Sequence, residues 1–346
     1  MKGRVVLSGM RPTGKLHFGN MVGALSSWIK LQSDSTTRCF YMVADWHALT
    51  TDYQDTSIVE DNIEDMVLDW LAAGLDPKKS VIFRQSWVPE HAEFALLLSM
   101  ITPLSWLERN PTYKEQVTEL KDKEISTHGF LGYPVLQAAD ILLYQASHVP
   151  VGEDQLPHLE LTREIARRFN FLYKKPVLVE PSALLSKSPK VLGTDARKMS
   201  KSYDNCVYIS EPESSLKKKI NSMFTDPHKV RADDPGHPKP CPENPTGCVV
   251  FSLHDILEVD RNAFRDREER CRDGRLGCAA CKKDLLETMT LSLKPVREKR
   301  EVLIKEKNIV SEILIEGSRT AQLVAQETMN QVLDAIHFKK PIGMFP

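Results

Sequence analysis

An apolar triplet, Val5-Val6-Leu7, runs straight into SGMRPTGKLHFGN (Ser8 to Asn20), and a helical pattern begins at Gly19. A buried strand that turns into a helix through glycines lets backbone approach a ligand closely. The start of the helix then offers unpaired N–H groups to an anion. Gly9 and Gly14 suit the turn, and Gly19 leaves the first helical turn without a side chain. His17 and Asn20, three apart, project as hydrogen-bond donors on one side of it.

The strand-then-helix alternation recurs. Strands are expected at Val5 to Ser8, Cys39 to Asp45, Ser80 to Phe83 and His148 to Gly152. Helices are expected at Gly19 to Gln32, Ser57 to Ala73, Glu90 to Ile101 and Leu156 to Asn170. Such alternation implies an α/β, doubly wound parallel sheet covered on both faces, with ligands at the carboxyl ends of its strands. Ser8, Asp45 and Gly152 all fall there.

After Lys201 strands become scarce. Asp226 to Gly247 carries six prolines and reads as a long irregular crossing, and Cys281 to Arg300 and Ser311 to Phe338 read as helices. The expectation is an α/β domain over residues 1–202 and a mostly α-helical one over 203–346, the last helix packing back on the first domain. With 346 residues, 41% hydrophobic and 27% charged, the chain can bury such a core. No apolar run is long enough for a bilayer span, so a cytoplasmic protein without membrane contact is expected. A net charge of −1 leaves nucleic-acid binding to local patches. Lys217-Lys218-Lys219 is one candidate, and a solvated helix face is its plainer reading.

RKMSKS (Arg197 to Ser202) sets two lysines three apart, each beside a hydroxyl, with Gly193 upstream. A loop of this kind can bring Lys198 and Lys201 to a pyrophosphate leaving group and neutralise charge that develops there. Taken together, the two motifs resemble the signature pair of class I aminoacyl-tRNA synthetases. His17-Phe18-Gly19-Asn20 stands where that class has His-x-Gly-His, and Lys198-Met199-Ser200-Lys201-Ser202 matches its lysine loop at every position. Asn20 departs from the second histidine, so it can bind phosphate but not titrate.

YPVLQAADILLYQ (Tyr133 to Gln145) places Pro134 where a helix would start, with Tyr133, Gln137, Asp140 and Tyr144 as one polar stripe among apolar residues. A carboxylate in such surroundings needs a partner, either a core arginine or a ligand N–H or O–H. Here the similarity narrows to the bacterial-type tryptophanyl-tRNA synthetases. It rests on SGMRPTG, ADWHALT, YPVLQAADIL, PVGEDQ and ELTREIARRFN, continuing through TDPHKVRADDPG and EGSRTAQLVAQETM.

That resemblance implies a Rossmann-like catalytic domain and an anticodon-binding helical domain in a homodimer. It implies a ligase joining L-tryptophan to tRNA(Trp) by way of an adenylate, with ATP as co-substrate and Mg2+. By position, Asp140 would accept the indole N–H. Tyr133, Gln137 and Gln155 would orient the amino and carboxylate groups, and Leu7, His47, Val149 and Val151 would line the ring slot. Arg11, Pro12, Thr13, Gly19 and Asn20 would contact ATP, with Gly152, Glu153 and Asp154 at the ribose and adenine edge and Val191 near the adenine. His17, Asn20, Lys198 and Lys201 would be catalytic, with Met199, Ser200 and Ser202 completing the loop and Lys114 reaching the phosphates.

The rivals are weaker. A tyrosine enzyme would want a polar group where Leu7 stands. A non-catalytic RNA-binding relative has no use for the lysine loop, and a small nucleotidyltransferase has none for the helical second half.

Cys248, Cys271, Cys278 and Cys281 follow C-x22-C-x6-C-x2-C. Four thiolates suit a [4Fe–4S] cluster or a structural Zn2+, and the single C-x2-C pair favours the cluster. The array also resembles a cluster-bearing subset of the same family. Cys241 could replace Cys248 as the first ligand.

Overall fold

The computed structural model describes residues 3–110, 127–185 and 191–338. Lys114 lies outside them. Five strands form one parallel sheet in the order β3-β2-β1-β4-β5. They are β1 (Arg4–Met10), β2 (Thr37–Val43), β3 (Ser80–Arg84), β4 (His148–Val151) and β5 (Ser182–Leu185). β2 shows why both faces are covered. Cys39, Tyr41 and Val43 enter one apolar cluster, while Phe40 and Met42 enter the other. On the first face Tyr41 stacks on Trp28 at 4.7 Å and donates to the Trp28 carbonyl at 2.9 Å.

β5 is the strand that the sequence reading omits. Its four residues, SALL, are all at least partly exposed, so no apolar run announces it. The strand order reverses between β1 and β4, and a crevice opens at their carboxyl ends.

Three helical expectations are corrected. The helix expected from Gly19 is three pieces, α1 (Phe18–Asn20), a π segment (Met21–Leu25) and α2 (Ser26–Gln32), and Ser26 Oγ donates back to the Val22 carbonyl at 2.6 Å. The helix expected from Pro134 is α7 (His128–Leu143), which starts at Thr127, whose Oγ1 accepts from Phe130 N at 3.1 Å. Pro134 therefore lies inside it. Tyr144 caps that helix instead of continuing it.

The remaining helices before the sheet's end are α3 (Asp45–Asp52), α4 (Val59–Ala73), α5 (Glu90–Ser99), α6 (Leu104–Glu108) and α8 (Leu156–Tyr173). Beyond residue 203 the named elements are all helical: α9 (Glu213–Ser222), α10 (Val249–Leu257), α11 (Arg261–Arg272), α12 (Cys278–Leu303) and α13 (Ile309–Ala335). Among the described residues no helix is long and apolar enough to cross a membrane.

The late helices pack on the sheet. On α13, Gly317 is so close to β3 that an added Cβ would collide with the Ile82 carbonyl, and Ser318 Oγ accepts from Arg84 N at 3.2 Å. On α12, Arg300 Nε donates to Asp69 Oδ1 at 2.8 Å and the same guanidinium pairs with Asp65. Asp69 is fully buried on α4, and its other oxygen accepts Leu16 N at 3.0 Å, one residue before His17. The far end of the chain thus holds the glycine-bearing turn.

Removing Arg300 would leave buried Asp69 without its countercharge, with the Leu16 N–H still bonded to its other oxygen. Arg300→Met is expected to lower unfolding free energy by ~3 kcal/mol, read as a shift of the urea midpoint. A midpoint equal to the parent's would contradict this role for Asp69.

Candidate active site

The crevice holds a cavity of about 390 Å³. Leu7, His47, Tyr133, Gln137, Asp140, Val149, Val151 and Gln155 all line it, with Arg11 and Gly152. Five stretches of chain, each with its own sequence pattern, meet there because the sheet reverses order at that point. Apolar walls surround one buried carboxylate, a lining suited to a flat ring with a single polar edge.

Asp140 is 2% exposed and pairs with no arginine. His47 Nε2 lies 2.8 Å from Oδ2, and His91 Nδ1 lies 2.6 Å from Oδ1. Gln85 Nε2 donates to both oxygens, at 2.9 and 3.1 Å. Burial pushes this carboxyl up, but hydrogen bonds from His47 and His91 outweigh it and hold the group at about 2, so it is ionised at neutral pH. The core arginine weighed from the sequence is corrected: the resident partners of Asp140 are two histidines and an amide. His47 is more than a lining residue, since it borders the cavity and also bonds Asp140 Oδ2.

Behind Asp140, the Tyr144 hydroxyl and His91 Nε2 are 2.8 Å apart. With His91 Nδ1–H directed at Asp140, Nε2 is left to accept from Tyr144. Burial drives the Tyr144 phenol well above its ordinary range, so it stays a donor. A further layer sets the angles. Asp45 accepts from Arg84 Nε at 2.6 Å and from Ser86 N at 3.0 Å, which ties α3, carrying His47, to the turn carrying Gln85. Gln85 and His91 are site residues that the sequence reading missed. The pair Gln85…His91 follows β3 directly, as His47 follows β2, and that position was the available signal.

Tyr133 Oη lies 2.7 Å from His158 Nε2, and Asn110 Nδ2 lies 3.1 Å from His158 Nδ1. Burial lowers His158 to about 4 and keeps it neutral. Gly152 has a local reason: a Cβ there would meet Asp154 Oδ1 at 2.6 Å.

Pro12, Thr13, His17, Gly19, Asn20, Glu153, Asp154, Val191 and Lys198 to Ser202 do not border that cavity. The glycine turn and the lysine loop instead meet each other. Lys201 Nζ donates to the Gly14 carbonyl at 2.8 Å, the Thr13 carbonyl at 3.0 Å and Thr13 Oγ1 at 3.2 Å. Gly14 reaches this geometry with φ +96°, a conformation side chains disfavour. Burial lowers the Lys201 ammonium to about 8.

His17 N donates to Asn20 Oδ1 at 3.1 Å, and Asn20 N donates to His17 Nδ1 at 3.3 Å, a reciprocal cap. Because Nδ1 accepts, the imidazole proton sits on Nε2. Burial, helped by Lys201 and Lys198, lowers His17 to about 4. A Cβ on Gly19 would touch the His17 ring at 3.0 Å and Val191 Cβ at 3.6 Å. The loop is pinned by a residue not foreseen, Asn205, 2% exposed, whose Oδ1 accepts Ser200 N at 2.8 Å and whose Nδ2 donates to the Lys198 carbonyl at 3.2 Å.

Of the three-lysine run, Lys219 turns inward to Glu211 Oε1 at 2.7 Å and the Cys206 carbonyl at 2.7 Å, which leaves Lys217 and Lys218 on the surface.

The four spaced cysteines lie at or near the ends of three helices. Cys248 caps the start of α10, Cys271 ends α11, and Cys278 and Cys281 open α12. All are free thiols, neither fully buried nor fully exposed. Burial pushes Cys248 up to about 12 and Cys281 up to about 11. Cys281 and Cys278 add to the rise at Cys248, and Cys278 adds to the burial that raises Cys271. Cationic Arg267 stands with Nη1 4.0 Å from Cys281 Sγ, its Nε buried without a partner. A Cβ on Gly236 would fall 2.8 Å from Cys271 Sγ. Helix N-termini at Cys248 and Cys278, the cation beside Cys281 and the cleared glycine beside Cys271 suit an anionic sulfur group, although no three of the four sulfurs lie within 4.8 Å of one another. Cys241 stands elsewhere, with His237 and Glu243.

The model of the class I tRNA synthetases (W and Y) matches residues 2–294. The chain is 51% identical to the tryptophan–tRNA ligase of Thermotoga maritima, across 96% of this chain and 98% of that protein. It is 45% identical to the ligase of the same name from Aquifex aeolicus, across 96% and 99%. The crystal structure of the tryptophanyl-tRNA synthetase of Campylobacter jejuni complexed with ADP and tryptophan superposes with a TM-score of 0.83 at 35% identity, covering 96% of this chain and 100% of that one. A tyrosyl-tRNA synthetase from Archaeoglobus fulgidus, at 20% identity and TM-score 0.63, shares the fold.

A neutral His17 gives a pH signature. Its folded value is depressed from 6.5 to about 4, so its contribution to stability is complete above pH 6.5 and is lost as pH falls toward 4. His17→Asn should show a smaller loss of unfolding free energy over that interval than the parent, by ~2 kcal/mol. Identical pH profiles for the two would contradict a buried neutral imidazole.

Proposed function

The chain belongs to the class I tRNA synthetases for tryptophan and tyrosine, and we propose that its crevice activates L-tryptophan with ATP before passing it to tRNA(Trp). The enzyme is a tryptophan–tRNA ligase. One observation carries the choice of amino acid. The cavity offers a single ionised acceptor, Asp140, while Leu7, Val149 and Val151 supply apolar walls. An indole needs one acceptor for its N–H and apolar contact elsewhere.

In the first step a carboxylate oxygen of tryptophan attacks the α-phosphorus of ATP, and the bond to the β,γ-pyrophosphate breaks. Tyr133, Gln137 and Gln155 orient the amino acid, and Arg11, Pro12, Thr13, Gly19 and Asn20 hold the nucleotide. Gly152, Glu153, Asp154 and Val191 hold its ribose and base. His17 Nε2–H donates to the phosphates as a neutral group, and no general base is required because the attacking carboxylate is already ionised. Lys201, freed from the carbonyls of Thr13 and Gly14, joins Lys198 against the charge on the leaving pyrophosphate. Mg2+, when bound, neutralises phosphate charge. In the second step a terminal ribose hydroxyl of tRNA takes the tryptophanyl group and AMP leaves.

Residues 1–202 form the catalytic domain and 203–346 the anticodon-reading one, acting in the cytoplasm. Cys248, Cys271, Cys278 and Cys281 hold a [4Fe–4S] cluster that shapes the latter, with Zn2+ as the alternative group. Support for a homodimer comes from an exposed apolar surface, with Leu96 57%, Met100 71% and Leu104 58% exposed, beside Leu49 and Tyr53.

The test is ATP–pyrophosphate exchange. Tryptophan should support exchange and tyrosine should not. Asp140→Asn should lower kcat/KM for tryptophan by ~10–100-fold. Exchange with tyrosine alone, or an Asp140→Asn variant as active as the parent, would overturn the assignment.

A further inference from the structure

The proline-rich crossing from Asp226 to Gly247 is built around a second group of metal-ligating side chains, distinct from the four spaced cysteines. A ring nitrogen of His237, Cys241 Sγ and a Glu243 carboxylate oxygen all lie within 4.8 Å of one another. We propose that His237, Cys241 and Glu243 bind one Zn2+ ion that locks this crossing, with a water as fourth ligand.

Four features of the crossing support a built site. First, His237 is already oriented as a ligand. Its Nδ1 lies 2.8 Å from Asp226 Oδ2, and that buried carboxylate also accepts the backbone N–H groups of His237 and His228, at 2.6 and 2.9 Å. With Nδ1–H held by a carboxylate, Nε2 presents the lone pair, the arrangement that fixes metal-bound imidazoles. Second, the loop is held shut by Asn244, 1% exposed, whose Nδ2 donates to the His237 carbonyl at 2.9 Å. Asn244 and Cys241 also exchange backbone hydrogen bonds at 3.1 Å each. The His-x3-Cys-x-Glu spacing is therefore fixed by a buried polar anchor and does not depend on an ion.

Third, the Cys241 thiol stands within 4.8 Å of the Glu243 carboxylate, and of the three ligands only this thiol would have to give up a proton to an ion. On binding, that S–H bond breaks, the proton leaves to water and a Zn–S bond forms. A thiolate, a carboxylate and a neutral imidazole then balance a divalent charge. Fourth, the donor set, one nitrogen, one sulfur and one oxygen, suits zinc, and ligand atoms need only close by roughly 1 Å to reach bonds of ~2.0–2.3 Å. The ion would sit one hydrogen bond from the cysteine array, since Gly236 N donates to the Cys271 carbonyl at 3.0 Å.

The experiment uses the full chain purified anaerobically, with iron and zinc per chain measured by mass spectrometry and Zn2+ affinity measured by competition with a chromogenic chelator. The parent should bind one Zn2+ besides its iron. Cys241→Ser and His237→Gln should lose that zinc and keep the iron and the exchange activity. Asp226→Asn, which removes no ligand, should weaken zinc binding by ~10–100-fold. Cys271→Ser should lose iron and retain zinc. Undiminished zinc in Cys241→Ser would overturn the site. So would loss of iron in that variant, which would make Cys241 a ligand of the other group, or loss of zinc in Cys271→Ser. Because exchange activity is read separately, its failure would bear on the aminoacylation reading and not on this one.

Discussion

A carboxylate sealed into an apolar wall is costly unless every lone pair has a donor, and the crevice cavity is organised around meeting that demand at Asp140. Its four acceptor positions are taken by His47, His91 and a Gln85 amide that reaches both oxygens. Each of these donors is in turn held by something else. His91 is held by Tyr144, and His47 and Gln85 by the common Asp45 anchor, which leans on Arg84. Arg84 N is bonded to Ser318 on the last long helix. The anionic state that would select an N–H ring is thus maintained by residues from widely separated parts of the chain. A ligand N–H must displace one of the resident donors, and His47, on the cavity side, is the one placed to yield.

The glycine turn and the lysine loop follow a different logic. The lysine is parked and not aimed. Lys201 satisfies itself on the carbonyls of Thr13 and Gly14, the same backbone that would receive phosphates. Burial lowers this ammonium to about 8, and an arriving polyanion offers it a stronger partner than neutral carbonyls. The turn itself does not drift while this happens. Leu16 N is anchored on Asp69, and Asp69 on Arg300, so α12, which begins with Cys278 and Cys281, ends against the turn that carries His17. One helix thereby joins the cysteine array to the glycine turn.

Much of this was legible in the sequence. Strands buried on both faces, such as β2, declare themselves by continuous apolar runs, and the glycine turn, the lysine loop and the cysteine spacing are local patterns. The parts that were not legible are long-range. Asp140 is visible as a lone carboxylate, but nothing near it in sequence names His47, Gln85 or His91 as donors, because they arrive from the ends of two other strands. Pro134 pointed to a helix start that Thr127 in fact supplies, since a proline tolerated inside a helix looks, in sequence, like one at its first turn. β5 escaped because its exposed residues carry no hydrophobic period. Asn205 and Arg300 look like ordinary surface residues until the fold buries them against a loop and an aspartate.

The most direct test of the central claim compares calorimetric affinities for L-tryptophan and for its benzothiophene analogue, which keeps the bicyclic shape and replaces the N–H with sulfur. If an ionised Asp140 reads the ring hydrogen, the analogue should bind ~10–100-fold more weakly, and Asp140→Asn should narrow that gap. Equal affinity of the parent enzyme for the two rings would contradict the account.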